Sequence, residues 1–338
     1  MNLKHLAIGV VCSLGSIPVV GLLLQQLAEA APNDIFFGWD FYIEVVVTGL
    51  LQGVMYALVA LGFVLIFKAS AIFNFAQGAM VLFAALAMVG FIEMGLHWTL
   101  AFLLAAVVMI IVAILIERVV LRPMVNQEPI ILFMATIGIF FVLDGLGQTI
   151  WGSNVKALDI GISQTPWFVL QGEFFPGGLR LIPTEVVAAV VGALTVTLLA
   201  VLFQYTKVGR ALRAVADDHQ AALSVGIPLK FIWAIVWSVA GIVGLVAGVM
   251  WGTSLGVQFS LSLIALKALP VLILGGFTSI PGAIVGGLIV GVGEQVGEVF
   301  IGPLFGGAIQ DWFAYMLAMI FLLFRPQGLF GERIIERV

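Results

Sequence analysis

Apolar residues run along this chain in long blocks rather than in alternation or in one-sided stripes. A helix that crosses a bilayer needs about 20 apolar residues. By that measure the pattern predicts ten spans: 5–27, 42–67, 72–94, 98–117, 130–150, 184–206, 231–253, 261–276, 282–300 and 309–324. Gly275-Gly276 and Pro281-Gly282 interrupt the pair 261–276 and 282–300 with little polar material between, so short or bent helices are expected there. The fold class this predicts is all-α, a polytopic transmembrane helical bundle.

The polar segments between the blocks give the orientation. With the N-terminus inside, the inner segments hold Lys4, Lys68, Arg118, Arg122, Lys207, Arg210, Arg213, Lys230, Arg325, Arg333 and Arg337, eleven of the 14 basic residues. The outer segments hold Lys156 and Arg180, and Lys267 lies within a span. This is the bias expected of loops that stay in the cytoplasm. The segment 151–183 reads as an outer loop with aromatic anchors, and 207–230 as an inner loop containing a short solvated helix over 213–226. On that helix Arg213, Ala214 and Asp217 share one face, as do Asp218, Ala221 and Ala222. Gly226 is placed to cap it, and Pro228 prevents its continuation. The first block is longer than the core of a secretion signal, which favours a retained helix. The small-residue pattern Leu27-Ala28-Glu29-Ala30 leaves a cleaved signal open.

Composition removes other classes. The chain of 338 residues is 62% hydrophobic and 9% charged, against roughly 25% charged in soluble domains. No basic run long enough for nucleic acid occurs. The lone Cys12 excludes an internal disulfide, and His5, His97 and His219 have no metal-ligand spacing. There is no nucleotide-binding G-x-x-x-x-G-K-[ST] pattern and no recognisable catalytic constellation, so neither an ATP site nor an enzyme activity is expected on this chain.

Polar residues inside the spans carry the remaining information, because lipid tolerates them only beside a cavity or a partner. Asp144, Lys267 and Glu294 are the deepest ionisable residues, and Lys267 and Glu294 lie in adjacent spans where they could pair. Asn74, Gln77 and Gln258 sit where helices are interrupted, and freed backbone groups there can bind a solute carboxylate or ammonium. The stretches Ser70–Ala76 and Ser254–Ser260 each place an amide residue and a phenylalanine before a small-residue-rich span, on opposite sides of the membrane. This is the form of an inverted-topology repeat, with the second to fifth and the seventh to tenth spans as its halves. Asn74, Phe75, Gln77, Gln258, Lys267 and Glu294 are the candidate solute-path residues.

Four blocks in order resemble the permeases of bacterial branched-chain amino-acid ABC importers. They are Gly53–Leu58 through Ile72–Gly78 with Glu117–Pro123; Gly209–Asp218 ending in Gly226-Ile227; Leu274–Ala283; and Arg325–Gly331. The resemblance covers about residues 42–331. It implies a permease domain over 31–338, preceded by a transmembrane or signal-like segment over 1–30, in the bacterial inner membrane. It implies two cytoplasmic ATP-binding subunits that carry the ATP and magnesium, a second related permease, and a periplasmic solute-binding protein. The inner loop would dock on the ATPases through Arg210, Arg213, Asp217, Asp218, Ala221 and Gly226. The family often has His where Gln77 stands, and it often lacks a counterpart of 5–27. Some relatives are associated with urea, short amides or aromatic acids, so the solute stays open. A secondary transporter would share the repeat and the buried charges, a channel would need an oligomeric ring, and an intramembrane enzyme ranks last.

Overall fold

The computed structural model describes residues 39–124, 127–171, 178–217, 219–305 and 307–331. The predicted span 5–27 and the segment 1–30 lie outside the described residues. The other nine predicted spans are all helical. They are α1 (Trp39–Ser70), α2 (Gln77–Glu93), α3 (Trp98–Leu115), α4 (Pro129–Trp151), α5 (Pro183–Tyr205), α8 (Leu229–Leu255), α9 (Ile264–Gly275), α10 (Ile280–Val296) and α11 (Gln310–Phe324). Two short helices, α6 (Lys207–Asp217) and α7 (His219–Ser224), stand between α5 and α8. Six helices are long and apolar enough to cross a membrane, namely α1, α3, α4, α5, α8 and α10 with their end turns. The helices α2 and α11 and the segment Phe259–Gly275 are apolar but shorter. The chain is therefore a multi-pass helical membrane protein.

Its outer faces fit lipid. In α3 the exposed Leu100, Leu103, Val107, Ile111 and Ile114 recur every three or four residues, while Ala101, Ala105, Met109 and Ala113 are buried. Helix α5 repeats the scheme with Val190, Leu194, Leu198 and Val201 outward and Ala188, Val196, Leu199 and Phe203 inward. In water such apolar faces would aggregate.

The centre is built on α1, α2 and α8. Helix α2 is enclosed by α3, α4, α8 and the turn Phe259–Leu263. Helix α1 packs most extensively on α10, and glycines make that approach possible. A Cβ at Gly53 would lie 2.6 Å from the Gly287 carbonyl oxygen, and one at Gly49 would lie 2.7 Å from Val292 Cα. In lipid, helix association depends on such close packing more than on hydrophobic burial. Lys68, Arg118, Arg122, Lys207, Arg210, Arg213, Lys230 and Arg325 fall at or just beyond the same-side helix termini, hereafter the basic end.

Several features were not expected. Helix α3 ends in a wide turn over Ile116–Leu121 and a tight one over Arg122–Met124. The wide turn brings Glu117 beneath Arg122, whose guanidinium donates to both carboxylate oxygens at 3.2 and 3.0 Å. At the far end a small hairpin pairs β1 (Trp167–Val169) with β2 (Leu179–Leu181), so the chain is not helical throughout. The same loop is anchored at Lys156, which bridges to Val257 through the backbone and holds the Glu93 carboxylate at 2.6 Å.

Candidate solute path and docking segment

The break between α1 and α2 begins at Ala71, whose φ of 54° ends α1. The chain then turns back into the bundle before α2 starts. Asn74 makes that start possible. Its Oδ1 accepts from the Ala76 N–H at 3.1 Å, and its carbonyl accepts from Gln77 at 3.2 Å. Thr136 of α4 pins the other side of the break. Its Oγ1 accepts from the Phe75 N–H at 3.1 Å, with the Phe133 and Phe73 carbonyls at 2.8 and 3.2 Å as targets for its proton.

Asn74 and Gln77 are both fully buried. Asn74 Nδ2 donates to Gln77 Oε1 at 3.4 Å, and the Gln77 amide is inserted against Gly62 of α1, where a Cβ would overlap its Nε2. Among the described residues Gln77 Nε2 has no hydrogen-bond partner. These two amides hold an interrupted helix in place; neither lies on an open surface. Gln258 is elsewhere. It precedes the turn Phe259–Leu263, next to the Val257 bridge that ties to Lys156 and hence to the far end of α2. Gln77 stands at the opposite end of α2. The expected trio of amides is therefore not one site. Phe75 does border open space. It lines a small cavity of about 40 Å³ with Phe63, Phe73, Phe140 and residues of Ser262–Leu269.

Lys267 and Glu294 do not pair, which corrects the expectation from their adjacent spans. The Lys267 ammonium lies 2.7 Å from the Asp311 carboxylate, on the α11 side of α9. Glu294, fully buried, accepts from the Tyr56 hydroxyl at 2.6 Å. Tyr56 in turn accepts from Gln52 Nε2 at 2.8 Å, and Gln52 Oε1 meets Gln295. Glu294 faces α1 because α10 packs there, so a neighbour in sequence order was the wrong partner. Tyr56, Thr136 and Asp311 were missed by sequence reasoning. Tyr56 sits within the block Gly53–Leu58 that was singled out, and Thr136 interrupts the apolar start of α4, so each left a signal.

The inner-loop segment is helical over Lys207–Asp217 (α6) and His219–Ser224 (α7), so helix starts earlier than the expected 213–226. Thr206 Oγ1 caps α6 by accepting from the Gly209 N–H at 3.1 Å. Leu212 and Val215 are buried against the bundle, while Lys207 and Arg210 are exposed. Arg213 is exposed as well, and it is also bound within the chain. Its guanidinium donates to the Phe203 carbonyl at 2.7 Å and to the Gln204 carbonyl at 3.4 Å, which caps the end of α5. Gly226, at φ 83°, ends α7 as expected, with the Gly226 and Ile227 N–H groups returning to the carbonyls of Leu223 and Ala222. This turn leaves Leu223 54% and Val225 74% exposed. Asp218 and the side chains of Asp217 and Ala221 lie outside what the structure describes.

Two further blocks meet at the basic end. The Leu329 and Phe330 N–H groups donate to the carbonyls of Leu274 and Gly275 at 2.7 and 3.2 Å, so the tail caps α9. Sequence-distant blocks that resembled one family thus form one contact. The comparisons agree. A family described as "Branched-chain amino acid transport system / permease component" matches residues 45–325, and the chain belongs to that family. The high-affinity branched-chain amino acid transport system permease protein LivH of Salmonella typhimurium is 28% identical, over 88% of this chain and 98% of that protein. BraD of Pseudomonas aeruginosa, with the same printed role, is 30% identical over the same shares. A probable branched-chain permease, LivH of Methanocaldococcus jannaschii, is 27% identical over 93% of this chain and 96% of its own length. Among solved structures, PsaBC from Streptococcus pneumoniae in complex with Fab covers 82% of this chain and 90% of its own, at 15% identity and a TM-score of 0.43.

Proposed function

We propose that this chain is the membrane-spanning permease subunit of an ATP-driven importer of branched-chain amino acids in the bacterial inner membrane. The observation that carries the reading is the family match across nearly the whole bundle. Three further features support it. The basic end, whose lysines and arginines favour the cytoplasmic side, carries the short helices α6 and α7. The end of α7 presents Leu223 and Val225 to solvent, where two exposed aliphatic side chains suit an apolar groove on another chain. And α6 is tied by Arg213 to the end of α5, while Pro228 leads directly into α8. A push on α7 would be transmitted to two long helices, which is what alternating access requires.

The expected assembly is two ATP-binding subunits at the basic end, holding ATP and magnesium, a second related permease alongside, and a periplasmic binding protein at the far end. The breaks at 71–76 and 256–263 favour an inverted repeat. Each leads into a short helix, and the first turn of α2 touches the end of the second break, where a Cβ at Gly78 would overlap the Ser262 carbonyl oxygen. The test is uptake of labelled leucine by the reconstituted assembly. ATP-dependent uptake is expected, and Leu223→Asp with Val225→Asp should abolish ATPase binding and uptake while leaving the permease folded in detergent. Uptake driven by an ion gradient without ATP would establish a secondary transporter instead. Uptake of urea or short amides in preference to leucine would reassign the solute.

A further inference from the structure

Helix α4 carries a carboxylate and an amide where lipid would not accept them. Asp144 lies seven residues before the end of a 23-residue helix, about 10 Å inside it. Its Oδ2 accepts from Gln148 Nε2 at 3.0 Å; Gln148 is exposed and Asp144 half-buried. Ionisable residues at such depth face water or a protein cavity, because the exposure costs several kcal/mol in hydrocarbon. Phe140, Asp144 and Gln148 are four residues apart, so they form one strip along α4.

That strip borders a cleft toward α9. Phe140 lines the same small cavity as Leu263, Leu266 and Leu269. On the opposite wall Phe259 approaches Gly147, where a Cβ would lie 3.7 Å from its ring. This contact brings Gln258 and the exposed Ser260 to the level of Asp144 and Gln148. Toward the far end from that cavity, polar side chains thus stand on both elements, Asp144 and Gln148 on α4 and Gln258 and Ser260 beside Phe259.

The basic-end half is aromatic. Phe73 lies 5.3 Å from Phe63 and 6.2 Å from both Phe133 and Phe277, between ring centroids. Phe75 lies 6.1 Å from Phe133 and 6.1 Å from Phe140. The remaining cavity, about 40 Å³, has room for a few waters and none for an amino acid. Phe73 and Phe75 stand on the break between α1 and α2, and Phe277 on the turn between α9 and α10, so these rings are carried by segments outside the helices.

We propose that the cleft between α4 and α9 is the solute-conducting surface of this chain, that Asp144 receives the solute's ammonium group there, and that the phenylalanine cluster is its closed gate. The inference rests on the importer reading above and adds the residues that touch the solute. A zwitterion with an aliphatic side chain suits the surface. Its ammonium meets a carboxylate in a charge-assisted hydrogen bond, its carboxylate meets the amide and hydroxyl donors of Gln148, Gln258 and Ser260, and its apolar part meets the phenyl rings.

The experiment uses the assembled transporter in proteoliposomes. Asp144→Asn should lower leucine uptake by about tenfold or more, with ATPase stimulation by the loaded binding protein retained. Val142→Ala, on the outward face of the same helix, should leave uptake unchanged. Independently of transport, Gln148→Cys and Ser260→Cys in a Cys12→Ala background should react with a small cationic thiol reagent added from the far side. The reaction should slow when Asp144→Asn is also present. Leu269→Cys should be protected and become reactive with Phe140→Ala. Wild-type uptake by Asp144→Asn, or silence of Gln148→Cys toward the aqueous reagent, overturns the cleft. Absence of ATP-driven uptake by the unsubstituted assembly overturns the importer reading instead, and the labelling pattern still decides the cleft.

Discussion

The Gln77 side chain illustrates how an interrupted helix fixes single residues. Its amide occupies the space that a side chain at Gly62 would need, with Gly244 of α8 nearby on another side. Gly62→Ala should therefore destabilise the bundle by about 1–3 kcal/mol through overpacking. Gln77→Ala should cost less than a buried amide usually does, because Nε2 has no partner to lose. The double variant should recover most of the loss from Gly62→Ala, since the shortened side chain vacates the clash. Thermal unfolding in detergent measures the cycle; additive losses would show that the two residues do not share that space. The charged residues carry a matching lesson. Breaking a buried Lys267–Glu294 pair would have cost about 3–5 kcal/mol. The actual partner of Lys267 is Asp311, 80% exposed, and such a pair contributes ~0–1 kcal/mol.

At the scale of elements, hydrophobic blocks located every described apolar helix, because a 20-residue apolar run has few other places to go. Length was less legible. Helix α2 begins at Gln77 rather than near residue 72 because Asn74 and Thr136 divert the backbone hydrogen bonds of the break, and pairings that remote in sequence leave no local pattern. For the same reason the candidate site was only partly legible. The amide residues at the breaks were identified, but their burial and the separation of Gln258 depend on which helices meet. Asp144 was visible as a deep carboxylate and gained meaning only from the cleft beside it. The loop after α5 shows how a role can change between sequence and structure. Arg210 and Arg213 look equivalent along the chain, and both are exposed, yet Arg213 is tied to the carbonyls at the end of α5. Arg213→Ala should lower stability by about 1–2 kcal/mol and weaken coupling as a consequence. Arg210→Glu should leave stability within about 0.5 kcal/mol and impair ATPase binding alone. Equal stability losses from the two would remove the capping role.

At the scale of the molecule, everything proposed depends on which end faces the cytoplasm. Lys68, Arg118, Arg122, Lys207, Arg210, Arg213, Lys230 and Arg325 gather at one end, against Lys156 and Arg180 at the other. The far end carries the Trp167–Leu181 hairpin and the loop clasp at Lys156 and Glu93, and the basic end carries α6 and α7. Two marked sites on these two ends separate the orientations without any transport measurement. Ser163 is exposed in the far-end loop, and Val225 is exposed at the end of α7. In intact cells with Cys12→Ala, an impermeant thiol reagent admitted to the periplasm should label Ser163→Cys and spare Val225→Cys. In inverted membrane vesicles the labelling should exchange. A reversed result would put α6 and α7 in the periplasm, where no nucleotide is available. It would end the coupling assignment together with the binding-protein face, although the helix packing and the family would stand.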